Sequence, residues 1–157
     1  MPNKTVTMPD GTKTKIASAI CFDADYPGQI RDNLDADTSL LLIPTWDWGA
    51  IRAYHTNGAE LRSVENGISI ARSTYDGISS VTDAYGRTVM RSDTAASGFE
   101  NVVFADVPTR RVQTLYHVAG KVIDWLYVAG LVAAVVMVAR RKKPKRSSPQ
   151  EQEKETL

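Results

Sequence analysis

One cysteine and two histidines in 157 residues leave little material for redox or metal chemistry. A lone cysteine excludes an internal disulfide and any zinc site built on cysteine pairs. His55 and His117 stand far apart without ligand spacing, so no metal is expected. A surplus of charge is also missing: 19 basic residues face 18 acidic ones, and no nucleic-acid footprint shows in the total. The opening Met1-Pro2-Asn3-Lys4 is polar and lacks the apolar core of a signal peptide. Long hydrophobic runs are absent as well, with one exception near the carboxyl terminus.

That exception is informative. Trp125 to Ala139 are fifteen residues without a charge, and from Val122 there are eighteen with only Asp124. A bilayer span needs roughly 20 mainly apolar residues, range about 17–25, and flanking arginines that snorkel extend the usable length. Trp125 and Tyr127 mark one end, and Arg140, Arg141, Lys142, Lys143, Lys145 and Arg146 mark the other. Aromatics at one interface and cations at the other are the flanks of a membrane helix, here expected over 118–140. The positive-inside rule puts the basic end in the cytoplasm and the preceding domain on the opposite side. Residues 141–157 turn basic and then polar, the composition of a disordered tail.

Before the span, the pattern is that of a layered α/β domain. Residues 8–14 form a turn, with Asp10-Gly11 suited to a tight hairpin. Residues 16–21 are a short strand of small and β-branched residues, compatible with burial on both faces. A short helix is expected over 27–34, with Pro27 in its first turn. Residues 39–44 carry Leu40-Leu41-Leu42-Ile43, an interior strand covered on both sides. After the loop Trp46-Asp47-Trp48-Gly49, Ile51, Tyr54, Gly58, Leu61 and Val64 recur at helical spacing over 50–65, and Asn66-Gly67 stops the helix. Strands are then expected at 68–73, 78–82, 88–91 and 102–107, separated by Tyr75-Asp76-Gly77 and Ala84-Tyr85-Gly86-Arg87. The order β-α-β-α followed by antiparallel strands defines the class.

Cys21 closes the first of those strands and is followed by Asp23 and Asp25. A free cysteine is often just a small buried hydrophobe, and reactivity requires access and a favoured thiolate. Two carboxylates immediately after it place this one at a polar lip. A thiolate nucleophile also needs a base and a donor for the oxyanion. His55, Glu60 and Glu65 are candidate bases, and Lys13, Lys15 or backbone N–H groups are candidate donors, none at a diagnostic spacing. Arg62 and Glu65 are also placed to pair on one helix face.

Five ordered blocks carry a family resemblance. They are Ala19-Ile20-Cys21-Phe22-Asp23 with Tyr26-Pro27; Leu40 through Gly49; His55 with Leu61-Arg62-Ser63-Val64-Glu65-Asn66-Gly67; Arg72 through Ser79; and Asp83-Ala84-Tyr85-Gly86-Arg87. Together they resemble the nitrilase, or carbon–nitrogen hydrolase, superfamily over about residues 11–107. The following span with a basic end makes the apolipoprotein N-acyltransferase branch the nearest likeness.

The resemblance implies an α-β-β-α sandwich followed by one transmembrane helix, with 1–117 as a partial carbon–nitrogen hydrolase domain. It implies a Glu–Lys–Cys catalytic set without cofactor or metal, in which Cys21 forms a thioester. Phe22, Asp23, Trp46, His55 and Glu65 are the supporting or substrate-side residues. The family's glutamate and lysine precede the cysteine segment, and Glu60 and Lys15 do not occupy their places. The implied partners are a phospholipid acyl donor, a lipoprotein acceptor amine, the membrane, and an N-terminal half of the same domain; no nucleic acid is implied. The acyltransferase branch usually carries Glu where Asp23 stands, and Asp there occurs in the amidase branches and in acyltransferase-like relatives. A membrane-tethered amidase is one alternative reading, the missing glutamate and lysine support a non-catalytic anchored remnant as another, and the chain alone is expected to be inactive.

Overall fold

A computed structural model describes residues 1–94 and 102–141. In chain order it contains β1 (Asn3–Thr7), β2 (Lys13–Ser18), a 3-10 turn (Cys21–Asp25), α1 (Pro27–Asn33) and β3 (Thr38–Trp46). There follow α2 (Arg52–Asn66), β4 (Ser69–Tyr75), β5 (Ile78–Thr82), β6 (Thr88–Asp93) and α3 (Leu115–Arg141). The chain divides into two units, Met1–Val118 and Ala119–Leu157.

The strands form one mixed sheet in sequence order. β2, β3 and β4 are parallel, and antiparallel partners close both sides: β1 on β2, then β5 on β4 and β6 on β5. The two crossovers, through α1 and α2, step the same way along the sheet. Right-handed crossovers of that kind deliver both helices to one face. The core lies on that face, where Ala17, Leu41, Ile43 and Ile70 meet Ile30 of α1 and Ala59 of α2. The described residues thus supply one helical layer and one sheet layer of the expected sandwich.

The opposite face of the sheet is open. Register puts Ser18, Leu42, Ala71, Val81 and Met90 in one row across five strands. Leu42 is 39% exposed, and the row lines a groove of about 630 Å³ together with Val102 and Val103. The expectation of burial on both faces for the first two strands is therefore corrected, because helices cover only one side. The expected strand at 102–107 is also corrected. These residues have no regular structure, since Val102 and Val103 line the groove over the sheet face rather than pairing at its edge.

Several boundaries move by a few residues. The first parallel strand runs Lys13–Ser18 rather than 16–21, and the second extends through Pro44 to Trp46. β1 was not anticipated, because Asn-Lys-Thr-Val-Thr at a sheet edge is exposed at most positions and shows no alternation. The Met8–Thr12 turn closes this hairpin with Gly11 at φ 84. The helix stop at Gly67 holds: its φ is 62, and its N–H caps the Ser63 carbonyl.

Gly67 also anchors the segment after the sheet. The Val112 N–H donates to its carbonyl at 2.8 Å, and a Cβ on Gly67 would collide with the Val112 oxygen. Ser69 Oγ donates to the Pro108 carbonyl, Thr114 Oγ1 donates to the Glu65 carbonyl, and Arg111 reaches the Asp35 and Thr38 carbonyls.

α3 covers 27 residues, about 40 Å at 1.5 Å per residue, against a hydrocarbon core of about 30 Å. An 18-residue window within it has a mean hydropathy of 2.2, and none of that window is buried in the protein. It is long and apolar enough to span a membrane, beginning three residues earlier than expected. Arg140 and Arg141 close it, whereas the rest of the basic cluster and the expected tail lie outside the described residues.

The hairpin between β5 and β6 is fixed by Asp83. Burial pushes its carboxyl up, but the Arg87 N–H and side chain and the Tyr85 N–H outweigh that and hold it below the ordinary value. A lowered carboxyl stabilises the fold above the unfolded value of about 3.9, and that contribution is lost as pH falls through the folded value. Asp83→Asn should therefore lower stability by about 1–2 kcal/mol at pH 7, with the gap from wild type closing in acid. Urea unfolding at the two pH values checks this; an equal gap at both would contradict it.

Candidate active site

The three parallel strands end at one edge of the sheet, the edge where α/β proteins place their ligands. β2 delivers Cys21 there. Parallel pairing continues through Ala19, whose N–H donates to the Leu42 carbonyl at 3.0 Å, and Ile20 then leaves the sheet. Cys21 is therefore not the last strand residue, as expected, but the first of a 3-10 turn. Its φ is 49, which makes it one of two non-glycine residues in the left-handed region among the described residues. That conformation costs roughly 1–2 kcal/mol in an L-residue and needs support from its surroundings.

Asp23 supplies part of that support. Its Oδ2 accepts the Ile20 N–H at 2.8 Å while its own N–H donates to the Ile20 carbonyl at 2.9 Å, and Gln29 Nε2 reaches Oδ1. Asp23 therefore closes the turn that carries the cysteine. The thiol is half-buried, with Sγ 3.8 Å from the Trp46 carbonyl at the end of β3. Its neighbours Ile20, Phe22, Tyr26, Trp46 and Trp48 are all exposed, giving the edge an apolar rim. The Trp46 ring meets Tyr75 edge-on at 5.6 Å.

Behind the turn lies a polar network. Asp47 has no exposed surface. Its Oδ2 accepts from Arg72 Nη2 at 2.6 Å, and its Oδ1 lies 2.8 Å from His55 Nδ1. The other ring nitrogen, Nε2, lies 2.9 Å from Asp25 Oδ2 in the cysteine turn. Arg72 Nη1 donates further to Thr56 Oγ1, Thr74 Oγ1 and the Ile78 carbonyl. Phe22 packs edge-on against the His55 ring at 4.6 Å. Gly77 leaves room for the carboxylate: a Cβ there would come within 2.7 Å of Asp47 Oδ2.

Of the residues expected at the site, Cys21, Phe22, Asp23, Trp46 and His55 converge. Glu65 does not. It sits ten residues beyond His55 on α2, about 15 Å along the axis, paired to Arg62 at 3.0 Å. Burial raises its carboxyl above the ordinary value despite the opposing pull of Arg62 and Arg31. Lys15 and Glu60 are also engaged elsewhere: Lys15 bridges Asp35 and Asp37, and Glu60 faces Arg91 at 3.9 Å. His55 is 5% exposed with both ring nitrogens on carboxylates, so it is a buried bridge rather than a free base.

Asp47 and Arg72 went unassigned in the sequence, although a signal for them exists. Arg72 interrupts an interior strand and Asp47 directly follows one, and a charge in either setting needs a partner. Among the described residues no group of three His, Cys, Asp or Glu side chains is arranged to hold a metal ion.

Comparison with known proteins gives the class and then the relatives. The sheet and its helices resemble a cysteine-to-alanine variant of the amidase from Nesterenkonia sp. AN1 in complex with butyramide. The TM-score is 0.50 at 22% identity, covering 59% of this chain and 38% of that one. This likeness carries the fold, which is of the nitrilase-superfamily type. No protein-family model matches the chain. Among curated proteins, an apolipoprotein N-acyltransferase of Bradyrhizobium diazoefficiens is 30% identical over 130 residues, 81% of this chain and 23% of the relative. One from Shewanella oneidensis is 29% identical over 134 residues, 82% of this chain and 25% of the relative. The chain is similar in sequence to these apolipoprotein N-acyltransferases, and it spans about a quarter of the length of those curated relatives.

The network makes a direct prediction. Arg72→Met would leave a fully buried carboxylate facing a thioether, and breaking one side of a buried pair destabilises by about 3–5 kcal/mol. Thermal unfolding in detergent micelles should show that loss, and a melting temperature equal to wild type would contradict the pairing.

Proposed function

We propose that this chain is the carboxy-terminal part of a membrane-bound acyltransferase of the nitrilase superfamily, with Cys21 as nucleophile. The observation that supports this most strongly is the placement of Cys21: a half-buried thiol on a braced left-handed turn at the carboxyl edge of parallel strands. The homology to apolipoprotein N-acyltransferases supplies the reaction class.

In the proposed reaction the Cys21 thiolate attacks an acyl ester carbonyl. The carbonyl π pair moves onto oxygen, and its return expels the alkoxide leaving group, which takes a proton and leaves an S-acyl thioester. An acceptor amine then attacks the thioester, loses a proton, and releases the thiolate. The proton-transferring glutamate and the oxyanion-holding lysine belong, by family resemblance, to polypeptide preceding this chain. That polypeptide would also cover the open sheet face and complete the sandwich. The proposed donor is a phospholipid and the proposed acceptor is the N-terminal amine of a lipoprotein, as the relatives' name indicates. α3 spans the cell membrane in this reading, with its arginine end in the cytoplasm and the sheet domain on the other side. Asp23 in place of the usual glutamate motivates the amidase alternative, in which water takes the acyl group.

The test uses native membranes containing the protein within its full reading frame. Cys21→Ser should abolish both hydroxylamine-labile acylation of the protein and transfer to a lipopeptide amine. Retained transfer in that variant would overturn the proposal. Release of free fatty acid without amide formation by the wild type would favour the amidase.

A further inference from the structure

We propose that His55 is a positioning residue for the nucleophile: a cross-link, held at both ring nitrogens, that ties the Cys21 turn to the end of β3. This rests on the reading of Cys21 as nucleophile given above.

The geometry sets the argument. Asp25 and Asp47 each place a carboxylate oxygen within 2.9 Å of a different His55 ring nitrogen. A carboxylate is an acceptor, so both contacts are hydrogen bonds only when both ring nitrogens carry hydrogen. Two carboxylates and the Arg72 guanidinium form one chain of contacts with the ring. The aromatic rings of Phe22 and Tyr54 pack near it as well.

The two anchored points are the ones that locate the thiol. Asp25 ends the turn that Cys21 begins, and Asp47 directly follows Trp46, whose carbonyl meets Sγ. The ring is 5% exposed, so the bridge sits behind the nucleophile rather than in the path of a substrate. Without it, the turn that carries Cys21 loses its side-chain tie to the end of β3. Misplacing a reacting group by about 1 Å slows a reaction by up to about 100-fold, while leaving the thiol itself as nucleophilic as before. His55 thus acts on position, through Asp25 and Asp47.

Both reactions are read on the tryptic peptide 16–31, in which Cys21 is the one cysteine. In membranes carrying the protein within its full reading frame, His55→Gln should slow S-acylation of Cys21 about 10- to 100-fold. Alkylation of the same thiol by iodoacetamide, which needs no oriented acyl group, should change by less than about 2-fold. Asp25→Asn, on the more exposed side of the bridge, should shift acylation in the same direction and serves if His55→Gln fails to fold. Wild-type acylation rates in both variants would overturn the proposal while leaving Cys21 as nucleophile. If wild type forms no thioester, the proposed function fails instead.

Discussion

Asp47 has no solvent-exposed surface, and a carboxylate in that setting persists only when both oxygens meet donors or cations. Arg72 takes one oxygen and His55 the other. Because Arg72 is on β4, Asp47 at the end of β3, and His55 on α2, this carboxylate ties the sheet to its covering helix. His55 then extends the tie to Asp25 and the cysteine turn. The rest of the site follows from that constraint. The Trp46 carbonyl is fixed by its neighbour, the thiol is located against that carbonyl, and Gly77 is small because the carboxylate needs the space.

The polar network also explains why separate sequence blocks resemble one family. Cys21 to Asp25, Trp46-Asp47, His55, Arg72 and Gly77 are spread over more than fifty residues, yet they meet at one edge of one sheet. Parallel strands joined by helices bring such blocks together, because each crossover returns the chain to the same edge. The core beneath is made of small and branched residues, with Ala17, Ala19 and Ala59 allowing the helices to pack close to the strands.

Much of this was legible in the sequence, and the exceptions have physical causes. The run Leu40-Leu41-Leu42-Ile43, the Asn66-Gly67 stop and the Asp10-Gly11 turn act through local chemistry, and all appear where expected. The long apolar helix does too. β1 was hidden because an exposed edge strand has no apolar face to display. Residues 102–107 are apolar like a strand, but apolar content alone does not distinguish a strand from a segment laid over a sheet face. Burial on both sides of the sheet was overread, since Leu42 faces the open groove. At the site, Cys21, Phe22, Asp23, Trp46 and His55 could be named from motif position. The pairing of Asp47 with Arg72 spans 25 residues and depends on strand register, which no local pattern reveals. Glu65 was drawn in by its motif but lies at the far end of α2.

The chain spans about a quarter of its curated relatives' length, and one sheet face is open. The described residues present a braced thiol at the sheet edge, and the proposed reaction takes its proton-transfer and oxyanion groups from outside them. The central claim is that Cys21 carries an acyl group during turnover. The most direct measurement is mass spectrometry of the tryptic peptide 16–31, which contains Cys21, isolated from native membranes at low pH. The account predicts a fraction of that peptide with the mass of a fatty acyl thioester, removable by neutral hydroxylamine. Peptide found solely as the free thiol, in membranes that are actively transferring acyl groups through this protein, would contradict it.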